Sequence, residues 1–204
     1  MTQALCKIHP QFDKVLRLIL LGNDNAHVVI LAGLGPLWSG TLSLRLQELS
    51  DRFGDTDQWL DRIHILRRLS AKMYANLIQS AYLMLNTFPY SGFTTNLEAF
   101  SLHIPVITMD GTSPRSSQTS MLYRIMDSIS ELDEESFSAC CIAKNVSQYI
   151  GKTLRLMSNT DYRDAVSKKI LTHVDSLFKQ EQAISSWANF LRRVHIEESA
   201  GAIA

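Results

Sequence analysis

Two adjacent threonines, Thr94 and Thr95, follow Gly92 and Phe93 and precede Glu98 by about one helical turn. Residues 86–100, NTFPYSGFTTNLEAF, read as a strand end, a tight turn that Gly92 permits, and a helix opened by the two threonines. A helix start leaves backbone N–H groups without intrahelical partners and carries partial positive charge, so it suits an anion, phosphate above all. The two hydroxyls add donors, and Glu98 is placed to accept hydrogen bonds from a ribose. Plain N-capping by Thr94, with Glu98 as a dipole partner, accounts for the same residues equally well. The chain has neither a Gly-rich dinucleotide fingerprint nor a Walker lysine pattern, and no Ser-His-Asp spacing. Cys6, Cys140 and Cys141 have no zinc-ligand spacing and form no disulfide framework. They read as reduced thiols of a cytosolic-type compartment.

The elements that must position this loop are legible in the hydrophobic pattern. The 204 residues suit one large domain. Lys plus Arg and Asp plus Glu total 20 each, so the net charge is zero, which disfavours a dedicated nucleic-acid binder. No apolar run approaches a membrane span, and Lys7, His9, Asp13, Lys14 and Arg17 leave no signal-peptide core near the start. Short apolar runs at 27–33, 62–66, 82–85 and 105–109 read as buried strands. They alternate with helical spacing at 12–20, 38–53, 71–79, 93–102 and 115–126. Residues 140–143 suit a fifth short strand. Residues 146–157, 162–178 and 182–194 read as helices, 128–138 as an exposed acidic insertion, and 197–204 as a frayed tail. The alternation predicts an α/β fold: a Rossmann-like parallel sheet with helices on both faces, one lobe over 1–196, ending in a helical tail. Ligands of such sheets bind beyond the strand C-terminal ends, so the loops at 33–37, 67–71, 86–93 and 110–115 carry the expected site.

Residues 83–111, LMLNTFPYSGFTTNLEAFSLHIPVITMDG, resemble the C-terminal catalytic lobe of the O-GlcNAc transferase family, which includes plant SPINDLY-type and bacterial tetratricopeptide-linked members. The shared pattern is a strand end, a Gly-containing turn, a Thr pair, an acidic residue and a Pro-Val-Ile-Thr strand. Residues 4–13, ALCKIHPQFD, resemble the opening of that lobe, residues 67–74 its nucleoside-side loop, and residues 121–126 the helix that follows. The resemblance implies a GT-B glycosyltransferase, in which this lobe holds the UDP half of UDP-N-acetylglucosamine and the acceptor is a protein Ser or Thr hydroxyl. It implies catalysis without metal or other cofactor, the charge on the leaving diphosphate being met by a lysine and a helix start. Cytoplasmic location, with the nucleus second, follows from the same likeness, and neither nucleic acid nor membrane is an expected partner. The N-terminal lobe and the tetratricopeptide repeats of the family are absent from this sequence and are the expected protein partner.

Carried over residue by residue, Lys7 takes the place of the lysine that contacts the diphosphate. Thr94 and Thr95 match the phosphate-holding pair, Gly92 the permissive turn, and Glu98 the ribose-binding acid. Leu69, Ser70 and Ala71 lie where backbone groups receive uracil, with Lys72 and Tyr74 beside them. Arg115 stands for an arginine of the loop after Gly111, while Ser117 fills the place of a second. Phe93 replaces the His of animal-type members, where bacterial members have Gly. Asn86 replaces an Asp, and Ala4 replaces a Gln, with Gln3 adjacent. These departures keep a second reading open, a non-catalytic nucleotide-binding or interaction module. A third, a cell-envelope lipid glycosyltransferase, lacks its Gly-rich loop and basic membrane patch here. The broad apolar face of Ile184, Trp187, Phe190, Leu191 and Val194 is expected to be partly exposed and to mark a missing partner surface.

Overall fold

Buried apolar stripes at helical spacing and short apolar strands assemble into an α/β structure. The computed structural model describes residues 1, 3–33, 35–54, 57–128, 135–178 and 180–201. Helix α1 spans Pro10–Leu21, with Pro10 at its first turn and His9 accepting from Gln11 N as its cap. Its Phe12, Val15, Leu16, Ile19 and Leu20 are buried at the i, i+3, i+4 spacing of one face. Strand β1, Val28–Leu31, leads to α2, Pro36–Phe53, which ends at Gly54 in the left-handed region, where glycine adopts φ +61° without strain. Then come β2, Ile63–Leu66; α3, Ala71–Gln79; β3, Met84–Leu85; α4, Thr94–Ser101; β4, Val106–Met109; and α5, Pro114–Asp127.

All strand pairs are parallel, as the apolar runs predict. The described strands fall into two sheets, β1 with β2, and β3 with β4 and then β5, Ile142–Ala143. The β3–β4–β5 strands are buried on nearly every position, whereas β2 turns His64 and Leu66 outward as an edge strand. Between the helices, Phe12, Phe88 and Tyr149 meet edge to face at 5.2–5.8 Å, and Tyr123 lies 4.8 Å from both Phe100 and Phe137.

The acidic segment is shorter than its composition suggests. Residues 129–134 lie outside the described residues, but Phe137 is fully buried in the short helix α6, Phe137–Cys140. Ser136 caps α6, and Asp127 accepts from the backbone N–H groups of Phe137 and Ser138. Helices α7, Val146–Ser158, and α8, Thr160–His173, each start on an asparagine side-chain cap, Asn145 and Asn159. The helix expected over 162–178 is broken at Val174, and α9, Asp175–Phe178, follows. Helix α10, Glu181–Gly201, runs on through Glu197 into positions read as a frayed tail; residues 202–204 lie outside the described residues. Ile184, Trp187, Phe190 and Leu191 are exposed, as the apolar face of this helix predicts. Among the described residues no helix is long and apolar enough to cross a membrane.

Candidate functional site

The loop after β3 is fixed from below by a buried polar cluster. Asn86, fully buried, accepts from Gly92 N at 2.8 Å and from Asn96 Nδ2 at 2.9 Å through its Oδ1. Its Nδ2 donates to Ser91 Oγ and Thr108 Oγ1 at 2.9 and 2.8 Å. Thr119 of α5 closes the cluster, donating to the Gly92 carbonyl and accepting from Asn96 Nδ2. Tyr149 donates to the Asn86 carbonyl at 2.9 Å. Every member is buried, so these bonds act without competition from water and hold the turn in one shape. Gly92 is needed for space: a Cβ there would lie 2.7 Å from Gln3 Cδ and 2.9 Å from Asn96 Nδ2.

Above this cluster, beyond the ends of β1, β2 and β3, opens a cleft of about 910 Å³. One wall is the entry segment from Gln3 to Lys7, with Leu5 to Lys7 in a single 3₁₀ turn. Another is the start of α4 with Phe93, Thr94 and Thr95. The remaining wall carries Arg68, Leu69 and Tyr74, with Trp38 of α2 and Tyr90 at the rim. The entry segment is anchored from behind: Arg45 of α2 makes a two-pronged bond to the buried Asp13 of α1 at 2.7 and 2.9 Å and also donates to the Ile8 carbonyl. Burial pushes the Asp13 carboxyl up, against the opposing pull of Arg45.

Lys7 Nζ lies 3.4 Å from Gln3 Oε1 and 4.5 Å from the centre of the Tyr90 ring. Gln3, itself buried, donates from Nε2 to Thr95 Oγ1 at 2.7 Å and so joins the lysine segment to the α4 start. The cap of α4 is Phe93, whose side chain makes no capping bond, so Thr94 is not the N-cap that the sequence allowed. Helix α2 likewise begins without a side-chain cap, at Gly35. By contrast α1, α3, α5, α6, α7 and α8 each have a capping side chain, Ser113 forming a capping box on α5. The two uncapped starts border the same cleft, whose lining among the described residues includes two cations, Lys7 and Arg68, and no carboxylate. Free N–H groups, partial positive charge and two cations make this cleft suited to an anion.

Of the residues singled out from sequence, Lys7, Leu69, Tyr74, Phe93, Thr94 and Thr95 line the cleft. Ser70 caps α3 by accepting from Met73 N, and Ala71 and Lys72 follow it, exposed, in the first turn. Glu98 sits one turn into α4 and accepts from Tyr74 Oη at 2.9 Å, which links the leucine wall to the threonine wall. Arg115 does not line the cleft; its carbonyl accepts from Ser91 N at 2.9 Å, so its backbone supports the loop while its side chain is exposed. The sequence did not single out Arg68, Trp38, Tyr90 or Gln118, which also line the cleft. The Asn96–Thr119 pair had one visible signal, polar residues on otherwise apolar helix faces beside Ala99, Phe100, Leu122 and Tyr123. Past the end of β4, burial favours a raised Asp110 carboxyl, but hydrogen bonds from Ser120 and Arg124 outweigh it and hold it below the usual value.

The chain matches no family model and no curated protein. Solved structures do match its fold. An O-GlcNAc transferase mutant from Thermobaculum terrenum superposes with a TM-score of 0.71 at 22% identity over 92% of this chain. The fold is that of a GT-B glycosyltransferase lobe. The TarM structure gives a TM-score of 0.59 at 11% identity over 93% of the chain. S. aureus TarM, in complex with fondaparinux, α-GlcNAc-glycerol and UDP, gives 0.55 at 14% over 87%. The chain spans about a third of each of these proteins: 34%, 34% and 31% of their lengths. At such identities the likeness establishes architecture, and function has to be argued from the cleft.

Proposed function

We propose that this chain forms the UDP-sugar-binding lobe of a protein O-linked N-acetylglucosaminyltransferase. The observation that carries this reading is the convergence of Lys7, the uncapped Thr94–Thr95 helix start and Tyr74, which donates to Glu98 behind the lining, on one cation-lined cleft. In this reading Lys7, the Gly92 turn, Thr94 and Thr95 take the diphosphate. Glu98 exchanges its Tyr74 bond for ribose hydroxyls, and residues 69–72 form the uracil side. In transfer, a Ser or Thr hydroxyl oxygen of the acceptor protein bonds to the anomeric carbon as the bond to the diphosphate breaks, and the hydroxyl proton passes to an oxygen of the departing diphosphate or through water to solvent. Negative charge then grows on UDP, where the ammonium of Lys7 and the α4 N–H groups meet it. The acceptor-side residues come from an N-terminal lobe with tetratricopeptide repeats, without which the acceptor is not oriented. The proposed location is the cytoplasm, with the nucleus second.

Phe93 supports a second reading. It is exposed at the cleft and brings no hydrogen-bond donor where animal-type relatives carry histidine, which fits a non-catalytic nucleotide-binding module. Calorimetric titration of the purified chain with UDP tests the shared part of both. Saturable binding is expected, weakened about 10-fold or more in Lys7→Ala by loss of a charge-assisted bond. Unchanged UDP affinity in both Lys7→Ala and Thr95→Ala refutes the assignment. Sugar turnover on addition of an N-terminal lobe eliminates the non-catalytic reading.

A further inference from the structure

Two histidines meet on the outward side of the β1–β2 pair. His27 immediately precedes β1, and His64 is the second residue of β2. The parallel register sets Val29 opposite His64. Alternate residues of an extended chain share a face, so His27 stands diagonally across from His64 on the side that β2 turns outward. Both side chains are exposed. His27 Nδ1 and His64 Nε2 are 2.9 Å apart, the ring centres are 5.2 Å apart, and the ring planes lie within 16° of each other. One of these nitrogens carries a proton and the other offers its lone pair to it. The two imidazoles therefore aim a nitrogen each at the same exposed spot.

The backbone that bears the rings is fixed. Arg62, two residues before His64, donates through Nη1 to the carbonyls of Asn23 and Ala26 and through Nη2 to that of Leu20. The turn that delivers His27 is thereby tied to the start of β2, and the β1–β2 ladder continues the link. Only side-chain torsions are left to be ordered by a ligand at the two rings, which keeps the entropic cost of binding small. A tetrahedral ion with metal–nitrogen bonds of about 2.0–2.1 Å holds two imidazole nitrogens about 3.3 Å apart, with their ring centres about 5 Å apart. The ring centres already stand at that spacing. Turning the exposed rings nearly in place brings both lone pairs onto one ion.

We infer that His27 and His64 form a chelate site for a divalent transition-metal ion of the kind that prefers imidazole, Zn²⁺, Ni²⁺ or Cu²⁺. The ion takes His27 through Nδ1 and His64 through Nε2. The proton that lay between these nitrogens moves through water to the outer nitrogen of the ring that gives it up, so the neutral pair releases no net proton. Among the described residues no group of three or more His, Cys, Asp or Glu side chains is placed to hold a metal, so water fills the other positions. The bound ion links the start of β1 to β2. The cation-lined cleft opens beyond the opposite, C-terminal ends of these strands, and the inference stands whether or not that cleft binds UDP.

The test titrates ZnCl2 into the full chain carrying Cys6→Ser, because Cys6 is an exposed thiol that would itself take the ion. Calorimetry is expected to show one saturable site, and Tm should rise with added Zn²⁺. In the same background His27→Asn and His64→Asn should each weaken binding at least about 10-fold, because the second imidazole no longer acts within the same molecule. Both should also abolish the rise in Tm, while their metal-free Tm stays near the parent's, since both positions are exposed. Imidazole nitrogen NMR should show Zn²⁺ shifting Nδ1 of His27 and Nε2 of His64. Affinity unchanged in either variant overturns the inference and assigns the ion to other surface groups. Absence of Zn²⁺ binding by the parent also overturns it and leaves the pair a proton-sharing contact alone.

Discussion

Replacing Gly92 by alanine places a methyl group on the Gln3 amide. The added carbon overlaps Gln3 Nε2, lies 2.7 Å from Gln3 Cδ, and sits 2.9 Å from Asn96 Nδ2. Asn96 is held inside the buried cluster under the loop, so Gln3 is the group that yields. Gln3 is only 2% exposed, and in moving it abandons its bond to Thr95. Overpacking of this kind costs about 1–3 kcal/mol, and a stranded buried amide about 1–3 kcal/mol more. Some of this is relieved because the side chain is flexible, so the expected loss is about 2–4 kcal/mol. For a chain of this length that lowers Tm by about 5–15 °C. Urea unfolding and calorimetry of four proteins measure it: the parent, Gly92→Ala, Gln3→Ala and the double variant. With Gln3 cut back to alanine the main obstruction is gone and only the 2.9 Å approach to Asn96 Nδ2 is left, so Gly92→Ala should then cost at least about 1 kcal/mol less than in the parent. If Gly92→Ala lowers stability equally in both backgrounds, the steric account of this glycine is wrong.

Further outcomes follow from other contacts. Arg45→Met leaves Asp13 buried without its partner and should cost about 3 kcal/mol at pH 7 by urea unfolding. Because burial raises the Asp13 carboxyl, that cost should shrink as acid protonates it, and an equal cost at pH 7 and pH 4.5 refutes the assignment. The Met1 amine, about 5 in the folded chain against an ordinary 8.0, makes the unfolded state bind the extra proton between those values. Stability should therefore rise with pH across that window, by about 4 kcal/mol in all, and an N-terminally acetylated chain should lack this slope. Asn86→Ala should be far more damaging to Tm than Asn86→Asp, since the hydroxyls of Ser91 and Thr108 rotate to donate to a carboxylate. Truncation after Phe178 should change stability by less than about 1 kcal/mol, because the large apolar side chains of α10 are exposed.

Period and turn chemistry made the alternation of strands and helices legible, and the likeness of residues 83–111 located the loop that borders the cleft. Neither revealed that β1 and β3 are unpaired with each other. Hydrophobic runs report that a strand is buried, not which edge is satisfied. The 162–178 stretch has no breaker at Val174, so its interruption is a tertiary effect that no local rule supplies. The segment at 128–138 looked exposed because acids dominate its composition, while the one aromatic in it, Phe137, decides its second half by filling a place against Tyr123. Within the site, Lys7, Thr94 and Thr95 were visible by type. Gln3 is visible only as the neighbour of Ala4, where the family has a glutamine; that it joins Lys7 to Thr95 depends on the fold. Asn86 was noticed as a departure, but its part in fixing the turn depends on partners at 91, 96, 108 and 119, drawn together only by folding.

The bare starts of α2 and α4 amount to stability left unused. A Ser, Asp or Asn would supply a cap of about 1 kcal/mol at position 93 and of about 0.3 kcal/mol at position 35, where glycine is already a fair N-cap, the same device that six other helices of this molecule employ. A chain so altered should melt later when empty and gain less from any anion it binds, because the side chain would already occupy the N–H groups an anion needs. Under the proposed function, thermal tolerance and ligand response become opposing demands on the same two residues, and stabilising caps there would weaken anion binding first.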